Sequence, residues 1–293
     1  MLTTQSQPDV RDDCAQALQC MEIWGGNTAE DAAISVPGID VWVHARPALG
    51  SDAGGDIHYV STCGAGKLTR FVVVDVAGHG PAVSEISTAL RKQMRKLINT
   101  PLQTKLVRAL SDEFGAVSDA GQFATGVFAS YHAPTSELIL VNAGHPRPML
   151  RTATTGKWSI VHHTAPDSRS NFNDLPLGII EGADYTQFVL SIEPGDVVLF
   201  FTDALPETTD SITGNMLGEQ GLLDLMQSLE AEVKHDPSTL AQRLSERLDI
   251  MRGQSSDDDV TIMTLHHNGS GPNKISLSEK ARVMAKMLGL IRV

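Results

Sequence analysis

The sequence is poor in cysteine, in basic residues and in long apolar runs. Its three cysteines show no C-x-x-C spacing, which indicates neither a disulfide framework nor a zinc site and favours a reducing cytoplasm. No apolar run reaches the ~20 residues that cross a bilayer, and the polar amino terminus lacks a secretion signal. We therefore expect a cytoplasmic protein without a membrane segment.

The charge balance limits the class of partner. The chain carries 23 Lys and Arg against 35 Asp and Glu, a formal net charge of -12. Unspecific nucleic-acid binding depends on cations that neutralise backbone phosphates, so this balance argues against a nucleic-acid partner. A phosphorylated protein remains compatible, provided that local positive charge, which bound cations would supply, attracts its phosphate.

Hydrophobic periodicity predicts an α+β fold. Alternating or continuous apolar residues predict strands at 39–46, 68–76 and 196–202, with further strands between them and a last one at 260–266. Helical spacing predicts one helix pair after Asp75 and a second pair over 218–251. Strands and helix pairs in this order predict two packed antiparallel sheets flanked by helix pairs, an α-β-β-α sandwich.

Composition divides the chain into three parts. Residues 1–38 are expected to be an amino-terminal leader with a short helix over 13–22, and residues 39–267 a single domain. The Asn-Gly-Ser-Gly-Pro stretch at 268–272 predicts a linker. Beyond it, an amphipathic helical tail is expected to complete the segment 268–293.

Four short motifs place an aspartate where a strand ends or meets a turn. They are Gly54-Gly55-Asp56, the Asp75 motif VDVAGHG, Phe201-Thr202-Asp203 and the 257–261 motif DDDVT with Asp258. Carboxylate oxygens suit hard ions such as Mg²⁺ or Mn²⁺, and two such ions activate water for phosphate ester hydrolysis. Each aspartate alone is more often a turn residue. As a set the four favour metal binding, because carboxylates crowded without cations would repel one another.

The motifs resemble those of the metal-dependent serine/threonine phosphatases of the protein phosphatase 2C (PPM) type, in particular the bacterial SpoIIE/RsbU-like branch. The resemblance covers 39–265 and follows the family order through GGD, VDVAGHG, FATGVFASY, NAGHPRPML, LPLG, GDVVLFFTD and DDDVTIMTL. It implies the same sandwich and a centre of two Mg²⁺ or Mn²⁺ ions. The implied ligands are the carboxylates of Asp56, Asp75, Asp203 and Asp258 and the main-chain carbonyl of Val76. Asp257 or Asp259 is the alternative to Asp258.

The resemblance also implies a function for residues 39–267. A metal-bridging hydroxide would hydrolyse phosphoserine or phosphothreonine on a regulatory protein, such as an anti-sigma-factor antagonist, in bacterial signal transduction. Relatives usually have glycine after the third acid, whereas this chain has Ala204. The alternatives are a weak or inactive pseudophosphatase that serves as a binding module, and an enzyme that hydrolyses a small phosphate ester. The sequence does not define an oligomeric state.

Four further features have chemical and structural interpretations. His79, in a Gly-His-Gly turn, is a candidate to protonate the departing oxygen, although turn histidines more often bind their own loop. We expect a structural role for His145 and a surface position, rather than phosphate binding, for Arg46. The segment around Glu207 and Asp210 predicts a mobile loop over the cleft.

Overall fold

A computed structural model describes most of the chain. The described residues are 16–17, 23–63, 67–78, 81–97, 100, 102–117, 122–162, 174–233 and 236–271. The strands are β1 (Gln16–Ala17), β2 (Ile23–Trp24), β3 (Glu30–Val36), β4 (Ile39–Arg46), β5 (Ile57–Cys63), β6 (Leu68–Val76), β7 (Ala124–His132), β8 (Glu137–Ala143), β9 (Met149–Arg151), β10 (Trp158–Ile160), β11 (Gln187–Ser191), β12 (Val197–Phe201) and β13 (Val260–His267). The helices are α1 (Pro81–Leu97), α2 (Gln103–Val117), α3 (Gly218–Val233) and α4 (Leu240–Arg252).

The strands form two sheets. Sheet A has the order β1-β3-β4-β13-β12-β9-β10, and sheet B has the order β11-β8-β7-β6-β5-β2. Neighbouring strands pair antiparallel, apart from the short parallel pair of β1 with β3. Helices α1 and α2 cover the outer face of sheet B, and α3 and α4 cover that of sheet A. The predicted α-β-β-α sandwich is confirmed.

The central strands are apolar on both faces because each face is covered. In β6, Phe71 and Val73 belong to the core between the sheets, while Val72 and Val74 pack toward α1 and α2. In β12, Phe200 lies in the inter-sheet core, whereas its neighbours pack toward α3 and α4. Each fully buried side chain of this size contributes roughly 1.5–3 kcal/mol. The two sheets are therefore held face to face.

The amino-terminal prediction was wrong in two respects. Gln16–Ala17 is a strand rather than part of a helix over 13–22, whose other residues lie outside the described ones. The expected boundary at residue 38 falls inside the β3–β4 hairpin, where Glu30 pairs with Ala45 and Val36 with Ile39. Ile34 and Val36 are buried in the inter-sheet core, so the domain includes residues assigned to the leader.

The expected helical tail after residue 272 lies outside the described residues. Within the described ranges, no helix combines the length and the apolar character that crossing a bilayer requires.

Candidate metal centre

The four predicted aspartates lie at or beside the ends of strands that meet at one edge of the sandwich. In sheet B, Asp56 comes directly before β5 and Asp75 is the penultimate residue of β6. Ile57 pairs with Val74, so extending this antiparallel register by one residue sets Asp56 opposite Asp75. In sheet A, Asp203 follows β12 and Asp258 precedes β13, and these strands are paired through Phe201 and Ile262.

The carboxyl group of Asp75 is close enough to Asp56 to raise the pKa of Asp56. Burial raises the pKa of Asp56 well above its usual range, and the charges of Asp75 and Asp259 raise it further. Burial also raises the pKa of Asp75 to about 8, with the charges of Asp203 and Asp258 as the next causes. The carboxyl groups from the two sheets therefore share one electrostatic environment.

Asp203 and Asp258 complete this acidic edge from sheet A. Burial, then the charges of Glu207 and Asp258, raise the pKa of Asp203 to about 6. Asp258 is exposed, and its carboxylate accepts a hydrogen bond from the backbone N–H of Asp259 at 2.8 Å. Asp258 is thus the solvent-facing member of the group.

The carboxylate of Asp259, the alternative to Asp258, accepts hydrogen bonds from the backbone. It is 4% exposed, and its two carboxylate oxygens accept hydrogen bonds from the N–H groups of Ala48 and Gly55, both at 2.6 Å. A Cβ at Gly54 would clash with the Asp259 carboxylate, which explains the glycine there. Asp259 holds the loop that carries Asp56, and this role supports Asp258 as the proposed ligand.

Thr202 connects the two sheets at the site and was missed by the sequence analysis. Its hydroxyl donates to Asp56 Oδ2 at 2.9 Å and accepts from the backbone N–H of Thr261 at 3.0 Å. Thr202 is fully buried. The only sequence signal was its place beside Asp203, which gave no indication that it would reach Asp56.

The carbonyl of Val76 faces the loop that precedes Asp56. A Cβ at Gly55 would lie 3.0 Å from Val76 O and 2.9 Å from Val83 Cγ1. The absence of a side chain at Gly55 therefore allows the end of β6 to approach this loop. This places the Val76 carbonyl beside the acidic edge.

The donor set fits divalent cations in its chemistry. It consists of carboxylate and carbonyl oxygens, which hard ions prefer. Burial and like charges both oppose ionisation of Asp56 and Asp75, and a bound cation would favour the ionised forms. Within the described residues, however, no three Asp, Glu, His or Cys side chains are arranged ready to hold an ion. The carboxylates are neighbours without a finished coordination shell.

Of the other predicted residues, the structure describes His145 and Arg46. His79 is outside the described residues. His145 is buried, bonds the Thr125 hydroxyl at 2.9 Å through Nδ1, and burial lowers its pKa to about 3. The Asn142 side chain bonds the His145 backbone N–H and C=O, which supports a structural role. Arg46 donates to Ser245 and Asp249 of α4.

The loop after Asp203 contains ordered hydrogen bonds. Asp210 Oδ1 accepts the N–H groups of Ile212 and Thr213 at 2.9 and 2.7 Å. The Ser211 N–H and hydroxyl both donate to Met251 O on α4, at 2.9 and 2.8 Å. These contacts connect the loop to α4, and its mobility over the cleft stays a prediction.

Comparisons with known proteins agree with this fold. A family model described as Stage II sporulation protein E (SpoIIE) matches residues 65–268, most of the chain. Phosphoserine phosphatase RsbU from Bacillus subtilis (strain 168) is 23% identical over 200 residues, which are 67% of this chain and 55% of RsbU. The chain therefore spans about half the length of this curated relative.

Two solved structures share the architecture. The RsbU and RsbW domains of Rv1364c from Mycobacterium tuberculosis align with a TM-score of 0.64 and 24% identity, covering 87% of this chain and 69% of that one. The PP2C phosphatase domain of SpoIIE from Bacillus subtilis, with a fragment of its regulatory domain, aligns with a TM-score of 0.60 and 14% identity, covering 87% and 72%. At these identities the likeness establishes the fold.

Proposed function

Because the chain belongs to the SpoIIE family, we propose that it is a metal-dependent phosphatase acting on phosphoserine or phosphothreonine of a regulatory protein. One observation carries this proposal. Both sheets deliver aspartates to one edge, where burial and neighbouring carboxylates raise the pKa values of Asp56, Asp75 and Asp203. Such a concentration of buried and half-buried carboxyl groups is unfavourable for folding alone, and functional sites are where it is typically found.

The proposed ligands of two Mg²⁺ or Mn²⁺ ions are Asp56, Asp75, Asp203, Asp258 and the Val76 carbonyl. When bound, such ions activate water and stabilise charge on phosphoryl oxygens. The protein's own groups prepare the site: Thr202 orients Asp56, and Asp259 holds the loop before it. Because ion binding requires ionised carboxylates, affinity should fall as pH falls below the pKa of about 8 of Asp75.

A phosphoprotein is the proposed substrate, with an anti-sigma-factor antagonist as the specific candidate. The support is the likeness to a relative named phosphoserine phosphatase. Cations at the acidic edge would supply the local positive charge that a chain of net charge -12 otherwise lacks for attracting phosphate. We propose a cytoplasmic location because the three cysteines form no recognisable disulfide framework.

The experiment compares turnover of para-nitrophenyl phosphate and of a phosphoserine protein, with Mn²⁺, with Mg²⁺ and after chelation. We expect turnover with metal and none after chelation. Asp75→Asn should abolish turnover and should retain the phosphorylated partner in a lysate. Asp224→Asn, at an exposed site on α3, is the control and should do neither. Turnover that persists without metal would contradict the proposal.

A pseudophosphatase is the second candidate, and two observations favour it. The described carboxylates do not form a ready coordination shell, and Ala204 replaces the glycine usual in relatives. This candidate predicts that the protein binds its partner without turnover under any metal. Mn²⁺ calorimetry separates the two, because the module would bind no ion at Asp56, Asp75, Asp203 and Asp258.

A further inference from the structure

The turn that carries Asp203 is buried on the side away from the acidic edge. Asp203 O accepts the Glu207 N–H at 2.9 Å, and Thr202 O accepts the Leu205 N–H at 3.2 Å. Ala204 and Thr208 are buried, at 5% and 2% exposed. The orientation of Asp203 therefore depends on what holds the Ala204–Thr208 turn from behind.

Arg252, the last residue of α4, holds this turn. Its Nη2 donates to Ala204 O and to Thr208 Oγ1, both at 2.6 Å. Thr208 Oγ1 itself donates to Ala204 O at 2.9 Å. The Ala204 carbonyl, one residue after Asp203, thus receives two side-chain hydrogen bonds, one of them from a charged group. Hydrogen bonds from charged donors are the stronger kind.

The guanidinium of Arg252 is itself held in place. Its Nη1 donates to Asp249 Oδ1 at 3.2 Å, and Asp249 Oδ2 accepts from Arg46 Nη2 at 3.1 Å. The Arg252 side chain is 12% exposed. Arg46 is the last residue of β4, so two ion pairs connect sheet A to the end of α4, and the hydrogen bonds of Arg252 continue this connection to the Asp203 turn. The planar guanidinium group of arginine can bond Asp249 and the turn at the same time, whereas the ammonium group of a lysine cannot do so in the same geometry.

We propose that Arg252 is a positioning residue for Asp203 and that it sets the affinity of the site for the ion that Asp203 binds. This inference rests on the proposed function. Without Arg252, Ala204 O would keep only the Thr208 hydroxyl, and the turn would lose its connection to Asp249. The Asp203 carboxylate would then reach its binding geometry at the cost of ordering the turn.

The test measures Mn²⁺ affinity by calorimetry on metal-stripped protein, together with para-nitrophenyl phosphate kinetics. Outer-shell partners of metal ligands are typically worth 10–100-fold in affinity, so Arg252→Gln should weaken Mn²⁺ binding by about 10-fold. Arg252→Lys should also weaken Mn²⁺ binding, because a positive charge alone does not replace the hydrogen bonds of the guanidinium group to Asp249 and the turn. Arg247→Gln, at an exposed position of the same helix, is the matched control and should bind like the wild type.

A second variant separates positioning from simple stability. Thr208→Val keeps the size of the side chain and removes the hydroxyl between Arg252 and Ala204, and it should weaken Mn²⁺ binding by a smaller factor. The double variant with Arg252→Gln should fall short of the product of the two single effects, because both changes break one network. If Arg252→Gln does not fold, the Arg252→Lys and Thr208→Val affinities decide the question.

The outcomes distinguish this inference from the proposed function. Wild-type affinity in the Arg252 and Thr208 variants, beside loss of binding in Asp203→Asn, would overturn the role of Arg252 and leave the phosphatase proposal standing. Lower melting temperatures with unchanged Mn²⁺ affinity would show that Arg252 only stabilises α4, which also overturns it. A wild-type protein that binds no Mn²⁺ would overturn both proposals.

Discussion

The two halves of the acidic edge are built differently. In sheet B, Asp75 lies within a nine-residue strand, and the loop before Asp56 is fixed by the buried Asp259 carboxylate. In sheet A, Asp203 and Asp258 lie in turns outside the strands, and side chains such as Arg252 hold the turn beside Asp203. Asp75 is therefore held by the backbone pairing of its strand. The sheet A half depends on hydrogen bonds that single substitutions can remove.

The largest expected difference is between Asp75→Asn and Arg252→Gln. Asp75 lies within its strand and is close to the charges of Asp203 and Asp258, so its loss should lower kcat/KM by more than about 100-fold, beyond the range typical of outer-shell groups. Excess Mn²⁺ should partly restore the activity of the Arg252→Gln variant, because this substitution weakens Mn²⁺ binding without removing a ligand. Phosphatase kinetics across a Mn²⁺ series check this. If both variants lost kcat/KM equally and excess Mn²⁺ restored neither, the two halves would not differ in this way.

The next effect concerns the contact between the halves. Thr202→Val removes the hydroxyl that bonds Asp56 and the Thr261 N–H, leaving buried polar groups without that partner. The free energy of unfolding should fall by about 1–3 kcal/mol. Urea denaturation of metal-free protein measures it, with Thr154→Val at an exposed position as the control. If both variants unfolded at the wild-type urea concentration, Thr202 would have no such role.

A third expected effect is on the pH dependence of stability. The pKa of Asp75 rises from 3.8 to about 8 on folding, so the folded state binds this proton more tightly than the unfolded state. Metal-free protein should therefore lose stability as pH rises from about 4 to about 8. Asp75→Asn should flatten this slope. Denaturation midpoints across this pH range measure it, and a wild-type stability that increased over the range would contradict the assignment.

Periodicity predicted the sandwich because its central strands are strongly apolar. Val197–Phe201 is apolar at every position, which is typical of a strand covered on both faces. The β3 strand was missed because Glu30–Val36 begins with two acids and two alanines, a weak strand signal. Its pairing with β4 decides its conformation, and pairing is a tertiary property.

The candidate ligands could be predicted, while the groups that hold them could not. An aspartate at a strand end is visible in one stretch of sequence. The contacts of Thr202 with Asp56 and of Arg252 with Ala204 join residues 146 and 48 positions apart, and only the folded arrangement brings them together. The contact of Ser211 with Met251 was also not predicted, because it joins residues 40 positions apart.

The most direct measurement is anomalous diffraction from crystals grown with Mn²⁺. The account predicts two Mn²⁺ peaks at the acidic edge, within ligand distance of Asp56, Asp75, Asp203, Asp258 and the Val76 carbonyl. Peaks elsewhere, or an acidic edge without any Mn²⁺ at saturating concentration, would contradict it.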